Sequence, residues 1–347
     1  MNHVKTITFT IVLLSIISIV NLYNAKYLNI IYKYYYIKQL IFYILGLIIS
    51  ILLKKLNLKI LFKHSKYLYI FNILLLLLVL VYGQNINGSK AWFDFGFFSF
   101  QPSELMKYSL CIFLIEESYR NENKYKNILR LFIYTLIPTV LVFLEPDTGA
   151  IIMYLVIYLA SLFYSLKKKK LFYIFCIIGC VILSIFVFLY FKNIDLLIKI
   201  LGTSIFYRID RIIDFKDNYQ LENALISIGT SNMLGRNKPM IYIPESVTDF
   251  MFARVVASYG FFSGIILIIC YFIILLYIVN SMKTNKNKIF VFSFFWLFLF
   301  QIIQNIFMNI GLLPIMGIPL PFLSYGGSNT IIYFLLLSII LKQEKNN

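Results

Sequence analysis

Ten stretches of mostly apolar residues, separated by polar connections, dominate the sequence. They lie at 6–23, 38–53, 67–83, 104–117, 130–144, 149–165, 171–191, 250–279, 289–310 and 322–341. A transmembrane helix needs about 20 mostly apolar residues, and 61% of this chain is hydrophobic, far above the apolar share of a soluble domain. We therefore predict an all-α integral membrane protein with about ten transmembrane helices, forming one polytopic domain over residues 1–347.

Lysine and arginine residues are distributed unequally between the two sides of these predicted helices. With the N-terminus inside, the inner segments carry 19 of them, whereas the short outer loops carry only Lys26, Lys33, Lys38 and Lys90. Cytoplasmic loops are enriched in positive residues, so both termini are predicted to be cytoplasmic. The loop 192–249, between the seventh and eighth spans, is then extracytoplasmic. The placement of the positive residues therefore argues against a nucleic-acid surface despite the net charge of +17, and the run Lys167–Lys170 is interpreted as an orientation signal.

Histidine and cysteine usage narrows the chemistry available outside. The only histidines, His3 and His64, lie on the predicted inner side, and all four cysteines fall inside predicted spans. Neither a disulfide framework nor a zinc site follows from these spacings. Acid–base chemistry on the outer face therefore has to use carboxylates, lysine, tyrosine or water.

Three predicted outer segments interrupt the apolar pattern, and the topology brings them to one side. In 87–108, Ser103 is a candidate N-cap, and Glu104 and Lys107 lie one helical turn apart, either as a structural ion pair or as functional groups. The loop 192–249 carries Arg208 and Arg211, which suit either lipid phosphates or a phosphate-bearing substrate. The segment 311–330 has three prolines and four glycines, which exclude a continuous helix; it is either a structural hairpin or a cavity wall.

Five motifs resemble the SEDS family (shape, elongation, division and sporulation), the group of RodA, FtsW and SpoVE. They are "WFDFGFFSFQPSELMK" (92–107), "EPDTGAIIM" (145–153), "YQLENALISIGTSNMLG" (219–235), "PESVTDFMFA" (244–253) and "QIIQNI…GLLPIMGIPLPFLSYGGS" (301–328). The first and last are highly specific in combination. The resemblance departs at Val247, where the family has histidine, and at "VASYG" (256–260), which lacks two family glutamates.

The resemblance implies a peptidoglycan polymerase of the bacterial cytoplasmic membrane. Such an enzyme joins the disaccharide units of lipid II, the undecaprenyl-pyrophosphate-linked precursor, into glycan strands on the outer face. The expected partner is a class B penicillin-binding protein, a transpeptidase. The implied catalytic aspartate falls on Asp249. Substrate-binding residues are then expected at Glu104, Lys107, Arg208, Arg211, Gln220, Arg236, Glu245, Asn305 and Ser324. No cofactor is required by the sequence, although Asp249 and Glu245 are candidate ligands for a divalent ion such as Mg²⁺ or Mn²⁺.

Asp249 also has a purely structural interpretation, because it directly precedes an apolar run and suits the N-cap of the eighth span. As a general base it would sit at the water–lipid boundary, where partial desolvation raises the pKa of a carboxylate and makes it a better base. Arg254, just beyond it, is placed to orient either Asp249 or a phosphate. Two functional alternatives stay open beside the polymerase. One is a flippase for a lipid-linked sugar, and the other is an inactive scaffold that binds a transpeptidase.

Overall fold

The structure, a computed structural model, describes residues 2–86, 89–118, 124–166, 169–203, 206, 210, 213, 215, 218–235, 241–285 and 287–345. Its helices in the first half of the chain are α1 (Asn2–Ala25), α2 (Tyr35–Lys55), α3 (Leu58–Lys63), α4 (Ser65–Tyr82), α5 (Pro102–Ser118), α6 (Lys124–Leu144) and α7 (Thr148–Ser165). The remaining ones are α8 (Lys169–Lys192), α9 (Ile194–Leu201), α10 (Tyr219–Gly229), α11 (Met251–Tyr259), α12 (Phe261–Thr284), α13 (Lys288–Asn309) and α14 (Gly327–Lys345).

The all-α membrane architecture predicted from the apolar runs is confirmed. Within the described ranges, eight helices are long and apolar enough to cross a membrane: α1, α2 with the 3₁₀ turn Ile30–Tyr34 before it, α4, α6, α7, α8, α12 and α13. The apolar part of α14, Gly327–Lys342, is shorter, and α5 has 17 residues. The total of about ten spans and the orientation of the termini stay predictions.

Helix α5 lies at the centre of the bundle. Fourteen of its 17 residues are buried, and it packs against α4, α6, α7, α13 and α14. Helix α8 is the opposite case, because its apolar side chains, such as Ile177 and Ile182, point away from the protein. Such an apolar helix surface is stable in contact with lipid, because a helix satisfies its own backbone hydrogen bonds and lipid requires no polar side chains on its outer face.

A small antiparallel sheet, which the apolar runs did not predict, follows α4. Strands β1 (Gln84–Ile86), β2 (Ser89–Asp94) and β3 (Ser99–Phe100) pair in the order β1-β2-β3. The sheet leads directly into α5, which begins at Pro102. Ser103 therefore lies inside the helix, and its prediction as the N-cap is wrong: its hydroxyl donates instead to Asp147 Oδ2 at 3.2 Å.

The run 250–279, predicted as one span, is two helices. Helix α11 is a short buried helix that ends at Tyr259, and α12 begins at Phe261. Gly260 between them has φ +84°, and a Cβ at this position would lie 2.4 Å from the carbonyl oxygen of Met233. Only glycine permits this backbone and this close approach. Uninterrupted hydrophobicity concealed the break.

The absence of a continuous helix over 311–330 is confirmed, because α13 ends at Asn309 and α14 begins at Gly327. Side chains from neighbouring helices donate to the carbonyl groups that no helix satisfies. These bonds run from Gln304 to Pro314 O at 2.8 Å, from Tyr271 to Pro321 O at 2.8 Å, and from Tyr43 to Phe322 O at 3.0 Å. Broken backbone at membrane depth requires such partners within the protein, so this segment is an ordered wall.

Candidate functional site

A cavity of about 710 Å³ lies where the predicted outer segments meet. The sheet and its exit contribute Ser89, Trp92, Ser99 and Gln101; the 241–250 region contributes Tyr242, Glu245, Thr248 and Asp249; the broken segment and α14 contribute Met316, Gly317, Tyr325, Gly326 and Gly327. The start of α2 with the turn before it, and residues Pro146–Thr148, complete the wall. The convergence of 87–108, the end of the long loop and 311–330 is thus observed.

Asp249 lies in the turn 244–250, directly before α11. Its residue is half-buried and lines the cavity. Within the described part of the chain, no side chain donates a hydrogen bond to its carboxylate. Burial, and then the nearby carboxylates of Glu245 and Asp147, raise the pKa of Asp249 to about 7. A carboxylate with this pKa is a far better proton acceptor near neutral pH than an ordinary aspartate.

The N-cap interpretation of Asp249 does not hold for α11. The capping position is Phe250, which makes no side-chain cap bond. Instead Asn309, on α13, provides the acceptor: its Oδ1 receives the backbone N–H of Ala253 at 2.9 Å. A residue from another helix therefore accepts one of the backbone N–H groups that the first turn of α11 leaves without an intrahelical partner. The Asp249 carboxylate is not used to cap this helix.

Two other carboxylates line the same cavity. Glu245 accepts a hydrogen bond from Thr248 Oγ1 at 2.7 Å, and its backbone has φ +52°, an unusual value for a residue other than glycine. Asp147 caps α7 by accepting from the N–H of Ala150 at 3.0 Å, and its other oxygen accepts from Gln101 Nε2 at 2.8 Å. The sequence motif 145–153 pointed to this region, but Asp147 and Gln101 were not singled out as site residues.

Glu104 and Lys107 form the ion pair that the spacing allowed. Lys107 Nζ lies 2.7 Å from both Glu104 carboxylate oxygens, and the side chains are only 9% and 3% exposed for Glu104 and Lys107 respectively. Neither residue lines the cavity. The pair belongs to the buried interior of α5.

Asn305 and Ser324 lie inside the scaffold that holds the cavity together. Asn305 donates to the carbonyl oxygens of Asp249 at 2.8 Å and Ile318 at 2.7 Å. Ser324 is fully buried and its hydroxyl accepts from the N–H of Leu320 at 2.9 Å. Gln220 lies in the first turn of α10, where its backbone N–H donates to the side chain of the N-cap residue Asn218, and it does not line the cavity. Arg208, Arg211 and Arg236 lie outside the described residues.

The hydrogen bonds described for the Arg254 side chain go to residues other than Asp249. Its guanidinium donates to the carbonyl of Asn21 on α1 at 3.2 Å and, weakly, to Ser246 Oγ at 3.5 Å. Val247, a position at which the sequence departs from the SEDS motif, is buried with the core, and its carbonyl accepts from the N–H of Tyr325 at 2.8 Å. These contacts attach the 244–250 turn to α1 and to the broken segment.

Comparison with known proteins gives one consistent result. The family model described as "Cell cycle protein", that of FtsW, RodA and SpoVE, matches residues 3–347. A probable peptidoglycan glycosyltransferase FtsW from Nitrosomonas europaea is 32% identical over 91% of this chain and 84% of its own length. One from Wigglesworthia glossinidia brevipalpis is 29% identical over 98% and 93%.

Solved structures show the same fold. A chain from a peptidoglycan synthase complex aligns with a TM-score of 0.82 at 24% identity, over 98% of this chain and 97% of that one. The rod shape determining protein RodA of Thermus thermophilus aligns with a TM-score of 0.70 at 24% identity, over 98% and 96%. At these identities the likeness establishes the architecture.

Proposed function

The chain belongs to the FtsW, RodA and SpoVE family of cell cycle proteins, and we infer that it is a peptidoglycan glycosyltransferase in the bacterial cytoplasmic membrane. The relatives named for this activity match most of the chain. The observation within the molecule that carries the proposal is the Asp249 carboxylate in the wall of the 710 Å³ cavity, to which no side chain of the described residues donates. An enzyme that deprotonates a sugar hydroxyl needs a base in that position.

The proposed substrate is lipid II, whose disaccharide fits the chemistry of the cavity wall. Carboxylates, amides and hydroxyls alternate there with the aromatic rings of Trp92, Tyr35 and Tyr325. Tyr35 and Tyr325 stack with ring centroids 4.0 Å apart. Sugars present hydroxyl groups at their edges and C–H groups on their faces, so a wall of this mixed composition suits them. Pockets of this kind use a few polar groups to fix ligand orientation.

In the proposed reaction, Asp249 takes the proton of the acceptor hydroxyl as its oxygen attacks the anomeric carbon of the donor sugar. A new glycosidic C–O bond forms, and the bond from the anomeric carbon to the pyrophosphate oxygen breaks. The electron pair of that bond leaves with the lipid-linked pyrophosphate. Asp249 is suited to the first step because its pKa is raised to about 7 by burial and by the neighbouring Glu245 and Asp147.

The leaving pyrophosphate needs positive charge, and the described wall of the cavity contains no lysine or arginine. Lys107 is already bound by Glu104. The candidates are therefore Arg208, Arg211 and Arg236 of the long loop. A divalent cation is the alternative, since the Asp249 and Glu245 carboxylates are oxygen ligands of the type that Mg²⁺ and Mn²⁺ prefer. Either source would stabilise charge that develops in the transition state.

The proposed partner is a class B penicillin-binding protein that cross-links the new strands. The structural neighbour from a peptidoglycan synthase complex is described as coordinating polymerization and crosslinking. In this proposal both termini are cytoplasmic and the cavity opens outside, where the disaccharide of lipid II is presented.

The test is polymer synthesis from fluorescent lipid II by purified protein, with and without the transpeptidase, resolved by gel electrophoresis. We expect glycan strands from the wild-type protein. Asp249→Asn protein, matched in amount and in gel-filtration profile, should polymerise at least about a hundredfold more slowly. A wild-type protein that moves lipid II across vesicles without polymerising it, alone and with the partner, would instead support the flippase alternative.

A further inference from the structure

We propose that Asn305 and Asn309, one turn apart on α13, are positioning residues that hold the Asp249 backbone so that its carboxylate faces the cavity. This inference rests on the proposed function, since it assigns a role toward the proposed base. It gives Asn305 a different task from the substrate contact expected from the sequence. The two amides act on Asp249 from behind, through its carbonyl group.

The contacts converge on one atom. Asn305 Nδ2 lies 2.8 Å from the carbonyl oxygen of Asp249, and Asn309 Nδ2 lies 3.1 Å from the same oxygen. Both asparagines are fully buried. Their spacing of four residues places them on the same face of α13. One carbonyl oxygen thus receives both donors that its two lone pairs allow.

Each amide also fixes a second element. Asn305 Nδ2 donates to the carbonyl of Ile318 at 2.7 Å, which holds the 311–326 segment beside the turn. Asn309 Oδ1 receives the N–H of Ala253, which holds the first turn of α11. The turn that contains Asp249, the helix after it and the opposite cavity wall are therefore bonded to one face of one helix. Asp249 Oδ2 lies 3.7 Å from where a Cβ on Gly317 of that wall would be.

The point of attachment matters for the chemistry. A donor to the carboxylate would stabilise its charged form and make it a weaker base. Donors to the carbonyl fix the position of the Cα–Cβ bond without that effect. The arrangement holds the carboxylate in place and preserves its basicity. Displacement of a reacting group by about 1 Å can cost roughly a hundredfold in rate, which gives the scale of what such positioning is worth.

The matched control is Gln304, the neighbour of Asn305 on α13. Gln304 Nε2 donates to the carbonyl of Pro314 at 2.8 Å, in the same broken segment, but does not contact Asp249. Gln304→Leu and Asn305→Leu therefore both remove a buried amide that binds this segment. Only Asn305→Leu, and likewise Asn309→Leu, releases the Asp249 carbonyl.

The experiment measures kcat and KM for fluorescent lipid II, and the pH dependence of kcat/KM, for these variants. We expect Asn305→Leu and Asn309→Leu to lower kcat by about tenfold to a hundredfold with KM changed less than about threefold. A carboxylate that is no longer held in place gains water, which lowers the pKa of Asp249, so the acid limb of the pH profile should move to lower pH. The nearby carboxylates of Glu245 and Asp147 still raise that pKa and limit the shift. Gln304→Leu should lose thermal stability without moving that limb.

Asn305→Gln keeps the amide but moves it by one methylene, and it decides the question if the leucine variants do not fold. An intermediate kcat with a shifted limb supports the proposal. If Asn305→Leu folds, the proposal is overturned when both Asn305→Leu and Asn305→Gln have the wild-type kcat and pH profile. If Asn305→Leu does not fold, a wild-type kcat and pH profile in Asn305→Gln alone overturns it. Equal shifts in Gln304→Leu would also overturn it. Failure of the proposed function looks different: the wild-type protein would not polymerise, or Asp249→Asn would polymerise as well as wild type.

Discussion

Asp249 and the Glu104–Lys107 pair both place charge near the start of an apolar helix, yet the protein treats them in opposite ways. Lys107 contacts both carboxylate oxygens of Glu104 at 2.7 Å in the interior, away from the cavity. The Asp249 carboxylate faces the cavity, and no side chain in the described part of the chain donates a hydrogen bond to it. A buried charge with a partner is neutralised and structural, whereas a charge held without a partner is available to accept a proton. The two regions look alike in the sequence, and only their partners distinguish them.

The largest expected effect is on Asp249→Asn. This change preserves shape and removes basicity, and loss of a general base typically lowers rate by about 10²–10⁴-fold. We expect normal accumulation in the membrane and a loss of that size in polymerisation of lipid II. Glu245→Gln is the control from the same cavity. Its side chain can still accept the hydrogen bond from Thr248, and its loss of polymerisation activity should be smaller. An Asp249→Asn enzyme with wild-type turnover would return this residue to a structural role.

The next prediction tests whether the Glu104–Lys107 ion pair stabilises the fold or takes part in the reaction. Lys107→Met leaves Glu104 buried without its partner, which typically costs about 3–5 kcal/mol. We expect a clear loss of thermal stability in detergent. The double variant Glu104→Gln/Lys107→Met removes both charges and should recover most of that stability together with polymerisation. A double variant that is stable but inactive would show that Lys107 acts on the leaving group, and the contrast with Asp249 would fail.

A smaller effect is expected when the space opposite the base is filled. Gly317 has φ +64° and lies against Asp249 Oδ2, whereas Gly96 has φ +77° with no atom within 4 Å of its would-be Cβ. Valine at either position incurs left-handed backbone strain of about 1–2 kcal/mol. Only Gly317→Val also crowds the carboxylate, so we expect roughly a tenfold loss of kcat from it. Equal activities of Gly317→Val and Gly96→Val would place the reacting groups elsewhere.

The smallest effect on activity is expected at Glu145, a third kind of carboxyl whose change should appear in stability instead. It is fully buried, and neither carboxyl oxygen has a hydrogen-bond partner within the described part of the chain. Burial, with a contribution from Asp147, raises its pKa to about 8. The folded protein then holds this proton while the unfolded chain releases it above a pH of about 4.3. Stability from this group is present at low pH and falls as the pH rises toward about 8.

Melting temperatures of wild type and Glu145→Gln between pH 5 and 9 check this sign. The melting temperature of the glutamine variant should rise relative to that of the wild type as the pH increases, and the difference should level off above a pH of about 8. A difference that stays constant over this range would mean that Glu145 is ionised in the fold.

The apolar runs, the broken segment 311–330 and the position of Asp249 could be predicted because each has a local cause: hydrophobic length, proline and glycine content, and a specific motif. The break at Gly260 could not, since a loop distant in sequence creates the crowding that requires glycine there. The cap of α11 was missed for the same reason, because Asn309 supplies it from 56 residues away. Asp147 lay inside a recognised motif, but its place in the same cavity as Asp249 depends on how α7 packs against α13, the helix whose asparagines bind the Asp249 carbonyl.

The most direct test of the central claim is the pH dependence of kcat/KM for lipid II polymerisation by the wild-type enzyme. If Asp249 is the base, activity should fall about tenfold per pH unit below an apparent pKa near 7 and level off above it. Glu145→Gln should keep this limb unchanged, which excludes the other raised carboxyl as its source. A profile that is flat from pH 5 to 8 would contradict the assignment of Asp249 as the general base.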